Sequence, residues 1–165
     1  MKRILILGSG GAGKSIFAKK LSAKLQLKLI HLDQHYWKPN WIKPDKEEWK
    51  EQVRVLCKNE SWIMDGNYQS TLDIRSPAAD TIIILKPNRF ICLWRVIKRW
   101  CSKKIRIDPI PGCAERVGLD FIKWILWDYP QKKYPATLNL LKSHKDKKVA
   151  ILKTKHDQEK FLKTV

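Results

Sequence analysis

The stretch Gly8-Ser9-Gly10-Gly11-Ala12-Gly13-Lys14-Ser15 decides the fold of this chain. It matches the pattern G-x-x-x-x-G-K-[ST], which joins a strand to a helix through a glycine-rich loop. Arg3 to Leu7 before it is a short apolar run of strand type, and Lys14 to Leu25 after it carries apolar residues on one helical face. In that setting the loop N–H groups turn inward beside the positive end of a helix dipole, so the loop is suited to bind phosphate groups.

The loop residues point to a nucleoside triphosphate with magnesium. We expect Lys14 to reach the β and γ oxygens and the Ser15 hydroxyl to hold Mg²⁺, so ATP and Mg²⁺ are the predicted cofactors. The predicted cofactor-binding residues here are Gly8, Ser9, Gly10, Gly11, Ala12, Gly13, Lys14, Ser15 and Ile16. The same glycines also spell G-x-G-x-x-G, with Asp33 some twenty residues further on, which is the pattern of a dinucleotide site. Lys14 favours the triphosphate, because a dinucleotide site needs no ammonium group there.

The composition is that of one globular domain with an unusual charge. A chain of 165 residues is long enough for a three-layer α/β core but not for a separate substrate domain, so we predict a single domain over residues 1–165. Lys and Arg number 34 against 16 Asp and Glu, which gives a net charge of +18. That charge favours anionic partners such as nucleotides, polyphosphates, nucleic acid or an anionic membrane surface, although a solvated lysine coat is the plainer explanation for most of it.

The cysteines and the hydropathy pattern indicate where the protein works. The four cysteines show no C-x-x-C spacing, which predicts reduced thiols and a cytoplasmic location. No stretch approaches the roughly eighteen apolar residues of a membrane span, so no membrane partner is expected. Both a monomer and a homodimer fit the sequence.

Strands and helices alternate along the chain, which predicts an α/β domain with a parallel sheet. The predicted strands after the first are residues 27–32, 61–64, 81–85 and 148–152. Ligands of such sheets bind at the carboxyl ends of the strands. Asp33, Asp65 and Lys153-Thr154 each follow a strand and are therefore expected on the same edge as the glycine loop.

The helix after the fourth strand leads into the most irregular part of the sequence. Asn88 is suited to cap this helix. Its predicted inward face is Phe90, Leu93, Trp94, Ile97 and Cys101. Residues 102–116 are predicted to be a small basic lid within the domain, whose Arg106 and Arg116 reach the phosphates when it closes. Helix then resumes and is predicted to break at Pro130.

Two aspartates are candidate catalytic residues. Asp65 ends a hydrophobic strand, as expected of a Walker-B acid that orients Mg²⁺ through water, although an aspartate that starts a turn with Gly66 would look the same. Asp33 is expected to accept a hydroxyl proton or hold the acceptor, and capping of the next segment is its plainer role. His31, Asp33 and His35 alternate as zinc ligands could, but no fourth ligand is in sight, and a histidine packed beside the acceptor pocket is favoured.

Basic residues recur along the helix that precedes the lid. Arg95, Lys98, Arg99 and Ser102 stand at i, i+3, i+4 and i+7 and form one polar stripe. If the stripe faces the strand ends, Arg95 and Arg99 clamp the transferring phosphoryl group; the alternative is a solvated helix face.

Two tryptophans follow Asp33 in a loop that also contains Pro39. Trp37 and Trp41 are candidate walls of an acceptor pocket, where an indole ring can stack on a planar substrate. Packing within the loop is the alternative.

Together these motifs resemble the FlaR-like DNA topology modulation proteins of bacteria, nearly from end to end. The segments that carry the resemblance are the glycine loop, His31-Leu32-Asp33, Tyr36-Trp37-Lys38-Pro39-Asn40-Trp41, Trp62-Ile63-Met64-Asp65-Gly66-Asn67-Tyr68, Ala79-Asp80-Thr81-Ile82, Arg95 with Arg99, Gly112-Cys113, and Trp127 with Tyr129-Pro130.

More broadly, the chain resembles adenylate-kinase-like nucleotide and small-metabolite kinases. This resemblance implies a three-layer P-loop NTPase fold with a five-stranded parallel sheet in the order 2-3-1-4-5. It places Arg99 at the base of the lid and residues 153–156, including Lys155, near the adenine. The residues expected at the acceptor are Asp33, Tyr36, Trp37, Asn67, Tyr68 and Arg75. The chain departs from adenylate kinases where Asp65-Gly66 continues as Asn67-Tyr68 instead of Phe-Pro-Arg.

The sequence therefore predicts an ATP-dependent phosphotransferase that acts on a nucleoside, nucleotide or other small metabolite. Its catalytic residues would be Lys14, Asp33, Asp65, Arg95 and Arg99, with Mg²⁺ held by Ser15 and Asp65. The alternative is a nucleic-acid-associated regulator that uses ATP as a switch, which the charge permits. Nucleic acid is the less favoured partner, because no helix-turn-helix, zinc module or RNP motif is present. A P-loop remnant with a purely structural role is a third possibility.

Overall fold

A five-stranded parallel sheet forms the centre of the protein, which we describe from a computed structural model covering residues 1–102, 108–114, 116–143 and 147–165. The strands are β1 (Arg3–Gly8), β2 (Leu29–His31), β3 (Trp62–Asp65), β4 (Thr81–Leu85) and β5 (Lys148–Leu152). They lie in the order β2-β3-β1-β4-β5, and each adjacent pair is parallel. The predicted α/β fold and strand order 2-3-1-4-5 are confirmed.

Helices cover both faces of the sheet. They are α1 (Lys14–Leu25), α2 (Leu32–Tyr36), α3 (Lys46–Cys57), α4 (Leu72–Ala78), α5 (Arg89–Cys101), α6 (Leu119–Lys123), a π-helix (Trp124–Lys133), α7 (Tyr134–Lys142) and α8 (Lys155–Thr164). Successive residues of β1 point to opposite faces: Leu5 and Leu7 pack with α3, α4 and α7, whereas Ile4 and Ile6 pack with α1 and α5. The two cores on either side of the sheet make the three layers. No helix of the described residues is long and apolar enough to cross a membrane.

The central strands are apolar on both faces because helices cover both of them. Ile82, Ile83 and Ile84 of β4 have no exposed surface, like Ile4 and Leu5 of β1. Since all strands run in the same direction, the segments that follow β1, β2 and β3 emerge at one edge of the sheet. That edge positions the site.

The inward face predicted for α5 is wrong except at Leu93, which packs against the core; Cys101 at the end of the helix is exposed. Cys92 and Val96 are buried, whereas Phe90, Trp94 and Ile97 are exposed. The helix is apolar on two sides, and periodicity alone does not say which side meets the core. The side of α5 that carries Cys92 faces inward because the backbone of the glycine loop packs directly against the carbonyl group of Cys92.

The helix break predicted at Pro130 is also wrong. α6, the π-helix and α7 follow one another without a gap from Leu119 to Lys142, and Pro130 lies inside the π-helical part. A π-helix pairs residues five apart in a wider turn, so the missing N–H and the ring of a proline are accommodated without ending the helix.

Candidate functional site

The glycine loop forms one wall of a cleft and has the backbone geometry that phosphate binding requires. Gly11 and Gly13 have φ angles of 75° and 92°, which side chains other than glycine rarely adopt. A Cβ atom on Gly11 would lie 2.2 Å from the carbonyl oxygen of Cys92, so glycine is needed for the loop to pack on α5. The Nζ atom of Lys14 donates to the carbonyl oxygen of Ser9 at 3.1 Å, which stretches the ammonium group across the loop.

The cleft has a volume of about 570 Å³ and opens at the carboxyl edge of the sheet. It brings together eleven of the predicted site residues. These are Gly10, Gly11, Gly13, Lys14, Ser15, Ile16, Asp33, Asp65, Asn67, Arg95 and Arg99. The glycine loop, the residues after β2 and β3, and the basic stripe of α5 therefore meet in one place.

Asp65 is buried in the cleft wall and held by a histidine. The parallel register places His31 directly opposite Asp65, and His31 Nδ1 lies 2.8 Å from Asp65 Oδ1. Burial by itself lowers the pKa of His31, but the hydrogen bond and the charge of Asp65, followed by the charges of Asp108 and Asp33, outweigh it and raise that pKa above 6.5. Sequence reasoning missed this pair, although the adjacency of strands 2 and 3 is a signal for it.

Asp33 is oriented by a tyrosine. β2 ends at His31, and Asp33 lies in the first turn of α2 and not at a strand end. The Tyr68 hydroxyl donates to Asp33 Oδ1 at 2.7 Å. Tyr68 in turn packs against Tyr36 and Trp49, with ring centres 4.4 and 5.2 Å away. These ring contacts hold Tyr68, whose hydroxyl group orients the Asp33 carboxylate.

The other predicted aromatic residues extend this cluster. Trp37 packs edge-on against Tyr36 and against Trp41, with ring centres 4.9 and 5.3 Å apart. Neither Tyr36 nor Trp37 is among the residues that line the cleft. Their predicted contact with the acceptor stays a prediction.

Arg75 lies beneath the cleft, fully buried. Its guanidinium group donates to the carbonyl oxygens of Gly66, at 3.0 Å, and Tyr68, and to Thr71 Oγ1 at 3.2 Å. Burial lowers its pKa to about 10, so the group stays protonated at neutral pH. Arg75 thus fixes the turn that presents Asn67 to the cleft.

Asn67 brings an amide donor to the cleft wall. Its Nδ2 atom is buried and has no hydrogen-bond partner among the described residues. A buried donor without a partner is costly, and the cost is relieved when a ligand supplies an acceptor.

Three cationic side chains line the cleft. Lys14 comes from the loop, and Arg95 and Arg99 from one face of α5. The Arg95 Nη1 atom lies 3.5 Å from the carbonyl oxygen of Gly11, so this guanidinium sits directly beside the loop. Of the predicted basic stripe, Arg95 and Arg99 line the cleft, whereas Lys98 is exposed over the Trp94 ring and Ser102 is exposed at the end of α5.

Asp108 is a cleft residue that sequence reasoning missed. It is buried, and its Oδ2 atom accepts a hydrogen bond from the Ser15 hydroxyl at 3.0 Å. The two residues are 93 positions apart, and no motif marks Asp108. It belongs to the part of the predicted lid that the structure describes, and it ties this segment to the loop.

Phe121 and Trp124 also line the cleft and were not predicted there. Their rings stack with centres 5.9 Å apart, and Phe121 packs so closely on Gly10 that a Cβ atom there would lie 2.5 Å from the ring. The sequence shows only that they belong to a helix. Which loop that helix meets is a property of the tertiary fold.

Two further predicted residues lie away from the cleft, and one cannot be placed. Arg116 is exposed, with its guanidinium carbon 5.4 Å from the centre of the Trp41 ring. Lys155 is exposed at the start of α8, after Thr154 caps that helix in a capping box with Asp157. Arg106 lies outside the described residues. The roles given to these residues stay predictions.

The available ligands suit magnesium better than zinc. His31 is paired with Asp65 and Asp33 with Tyr68, and the described part of the chain holds no cluster of three or more metal-ligating side chains. Magnesium needs only one or two protein oxygens when a nucleotide supplies the others. The Ser15 hydroxyl and the Asp65 carboxylate, both on the cleft, are hard oxygen ligands of that kind.

Comparison with solved structures shows which fold this is. No protein-family model and no curated protein matches the chain. Shikimate kinase from Aquifex aeolicus is 16% identical with a TM-score of 0.57, and the match covers 98% of this chain and 92% of that one. Shikimate kinase from Bacteroides thetaiotaomicron is 13% identical with a TM-score of 0.54, over 99% and 95%. At these identities the likeness shows the fold, which is that of P-loop kinases.

Proposed function

We propose that this protein is an ATP-dependent phosphotransferase with a small-molecule acceptor. The observation that carries the proposal is the cleft itself. A phosphate-binding loop, three cationic side chains and three aspartates line one cleft of about 570 Å³, a space that suits the phosphates and a small acceptor. The P-loop kinase fold of the solved structures supports the same reaction class.

On the nucleotide side, the chain supplies positive charge where a triphosphate carries negative charge. The loop N–H groups and Lys14 bind the β- and γ-phosphates, and Arg95 and Arg99 stabilise the charge on the transferring group. Ser15 and Asp65 would hold Mg²⁺, which neutralises phosphate oxygens when it is bound. His31 keeps Asp65 in place through its hydrogen bond.

On the acceptor side, Asp33 orients the attacking group. Tyr68 donates a hydrogen bond to one oxygen of this carboxylate, and an acceptor hydroxyl would pass its proton to Asp33 during the transfer. Arg75 bonds to the turn that carries Asn67 and so positions Asn67 at the cleft. Arg75 itself does not contact the reacting atoms. Closure of residues 102–116 over the cleft would exclude water and favour the acceptor over hydrolysis.

The test is ATP turnover against a panel of nucleosides, nucleotides, sugars and other phosphoryl acceptors. We expect slow ATP hydrolysis in buffer and strong acceleration by one class of small molecule. Lys14→Ala should abolish this turnover with the circular dichroism spectrum unchanged. Lys20→Ala, on an exposed position of the same helix, is the matched control and should keep full activity. Unchanged turnover in Lys14→Ala would remove the mechanism.

The net charge of +18 favours one rival, a nucleic-acid-associated regulator that uses ATP as a switch, as the FlaR-like resemblance suggests. That protein would bind DNA with a steep salt dependence and hydrolyse ATP faster when DNA is present. The phosphotransferase shows neither effect. The same turnover assay with and without duplex DNA separates the two.

A further inference from the structure

The outward side of α5 is an exposed apolar surface that the proposed function does not use. Five large apolar side chains, each between 39% and 61% exposed, form this outward face: Phe90, Ile91, Trp94, Ile97 and Trp100. Single exposed apolar residues are common on proteins and need no explanation. Five large ones on one helix, three of them aromatic, mark a contact surface.

The helical repeat gives the outward face its shape. Phe90, Trp94 and Ile97 are spaced four and three residues apart, so they stand in one row along the helix. Ile91 and Trp100 flank this row on its two sides. At a rise of 1.5 Å per residue, Phe90 and Trp100 are about 15 Å apart along the axis. The outward face is therefore an elongated apolar strip of about three helical turns.

The outward face is separate from the cleft. Arg95 and Arg99 line the cleft, and each follows a member of the outward face, Phe90 or Trp94, by five residues. Five residues are nearly one and a half turns of an α-helix, which places each arginine on the opposite side of α5 from the ring that precedes it. A partner bound to the outward face therefore need not enter the cleft.

Positive charge borders the outward face. Lys98 Nζ lies 4.7 Å from the centre of the Trp94 ring, and the Arg89 guanidinium carbon lies 5.2 Å from that of Phe90. In the sequence, residues 81–107 include eight basic residues and no acidic one. An anionic partner would meet opposite charge at this face, whereas a second copy of the chain would bring the same cations together.

We propose that the outward face docks on an anionic lipid bilayer. Apolar side chains of a helix that lies on a membrane enter the boundary between headgroups and acyl chains, and Lys and Arg beside them are attracted to anionic headgroups. Tryptophan is suited to this boundary, because its ring is apolar and its N–H group is polar. Nucleic acid fits less well, since Ile91 and Ile97 offer neither a hydrogen bond to phosphate nor a ring for base stacking.

The lack of a spanning helix does not bear on this proposal. The expectation of no membrane partner rests on the absence of a long apolar segment, and no helix among the described residues can cross a membrane. A helix that lies on the surface needs only one apolar side. The opposite side of α5 stays packed on the domain through Cys92 and Val96, so docking requires no unfolding.

Co-sedimentation of the full chain with vesicles tests the docking. We expect binding to phosphatidylcholine vesicles that contain about one-third phosphatidylglycerol, weakened by salt, and about tenfold weaker binding to pure phosphatidylcholine. Phe90→Ser/Trp94→Ser should lose most of the binding and keep ATP turnover, which shows that it is folded. Ile42→Ser/Val55→Ser is the matched control, because it removes two apolar side chains that are 57% and 54% exposed elsewhere, and it should bind normally.

Several outcomes of this experiment would overturn the proposal. They are no binding of the wild type to either vesicle, equal binding by Phe90→Ser/Trp94→Ser, preference for duplex DNA over vesicles, and dimerisation that the same double variant abolishes. The last two would assign the outward face to nucleic acid or to a second copy of the chain.

A single charge variant tests the electrostatic part without disturbing the apolar strip. Lys98→Gln should weaken binding to the anionic vesicles about fivefold, the usual contribution of one basic residue near an anionic surface. Lys58→Gln, at an exposed position beside α3 in the other layer of the fold, should change it far less. Equal losses in the two variants would mean that net charge alone drives the binding and that α5 does not dock.

Fluorescence quenching shows which tryptophans reach the lipid. Anionic vesicles with brominated acyl chains should quench part of the tryptophan emission of the wild type. Trp94→Phe/Trp100→Phe keeps the outward face aromatic, so it should still bind, but the quenched part should fall. Quenching that is unchanged in this variant would mean that another surface meets the bilayer.

Discussion

At the scale of single residues, Arg75 supports the structure around the cleft and does not itself contact a ligand. Its three bonds reach Thr71 and the two residues on either side of Asn67. A buried guanidinium is well suited to this task, because its planar fork satisfies several carbonyl groups at once. We therefore assign Arg75 to the stability of the turn that follows β3.

Arg75→Met is expected to destabilise the protein. The substitution keeps an apolar stem of similar length but leaves the carbonyl oxygens of Gly66 and Tyr68 without their donor, at a cost of about 1–3 kcal/mol for each group. Urea denaturation of the variant should show the loss in the free energy of unfolding. A variant as stable as the wild type, with a raised KM for an acceptor, would contradict this assignment and show that Arg75 binds the substrate.

Asp80 makes stability depend on pH in the acid range. Partial burial raises its pKa, but the backbone N–H groups of Arg3 and Lys2 and the Thr81 hydroxyl outweigh burial, so the pKa lies below its usual value. A lowered pKa stabilises the fold above the unfolded value of about 3.9, and that stabilisation is lost as the pH falls through the folded value.

Asp80→Asn should therefore be less stable than the wild type at about pH 6, and the difference should shrink towards about pH 3. Urea midpoints measured across this range give the result. A difference that stays constant with pH would show that the charge of Asp80 contributes nothing.

Single residues of the cleft could be predicted from the sequence, but contacts between distant residues could not. Asp33, Asp65, Arg95 and Arg99 were placed on the cleft because strand ends and helical spacing are local signals. The bond between Ser15 and Asp108 was not predicted, because it joins residues 93 positions apart and depends on how the chain returns to the loop.

At the scale of elements, α5 serves two purposes with different faces. Cys92 and Val96 pack against the glycine loop and the core, and Arg95 and Arg99 face the cleft. Phe90, Trp94 and Ile97 remain exposed. A hydrophobic pattern of period 3.6 identified the helix and its Asn88 cap but could not choose between two apolar faces.

Alanine substitutions on α5 should show which face is the core. Val96→Ala removes two buried methyl groups and is expected to cost about 2 kcal/mol, including the cavity it leaves. Trp94→Ala, on the exposed face, should change the free energy of unfolding by less than about 0.5 kcal/mol. The reverse order, measured by urea denaturation, would mean that the predicted inward face is the real one.

At the scale of the whole molecule, the strand order could be predicted from the sequence, whereas the π-helix could not. The order 2-3-1-4-5 followed from a resemblance carried by motifs, and alternation of strands and helices alone gives only a parallel sheet. The π-helix through Pro130 was not foreseen, because a proline normally ends a helix and nothing local marks the wider turn.

The net charge of +18 should make the folded protein sensitive to salt. Self-repulsion opposes a compact state, and dissolved ions screen it. The Tm in about 0.3 M NaCl is therefore expected to exceed the Tm in about 0.02 M NaCl by several degrees. A Tm that falls with salt would indicate that favourable ion pairs outweigh the repulsion.

The account depends on one claim, that the loop from Gly8 to Ser15 binds the triphosphate of ATP. Isothermal titration calorimetry with a non-hydrolysable ATP analogue and Mg²⁺ measures this most directly. The account predicts one site per chain in the wild type and in Lys20→Ala, with affinity at least tenfold lower in folded Lys14→Ala. No binding by the wild type, or equal binding by Lys14→Ala, would contradict it.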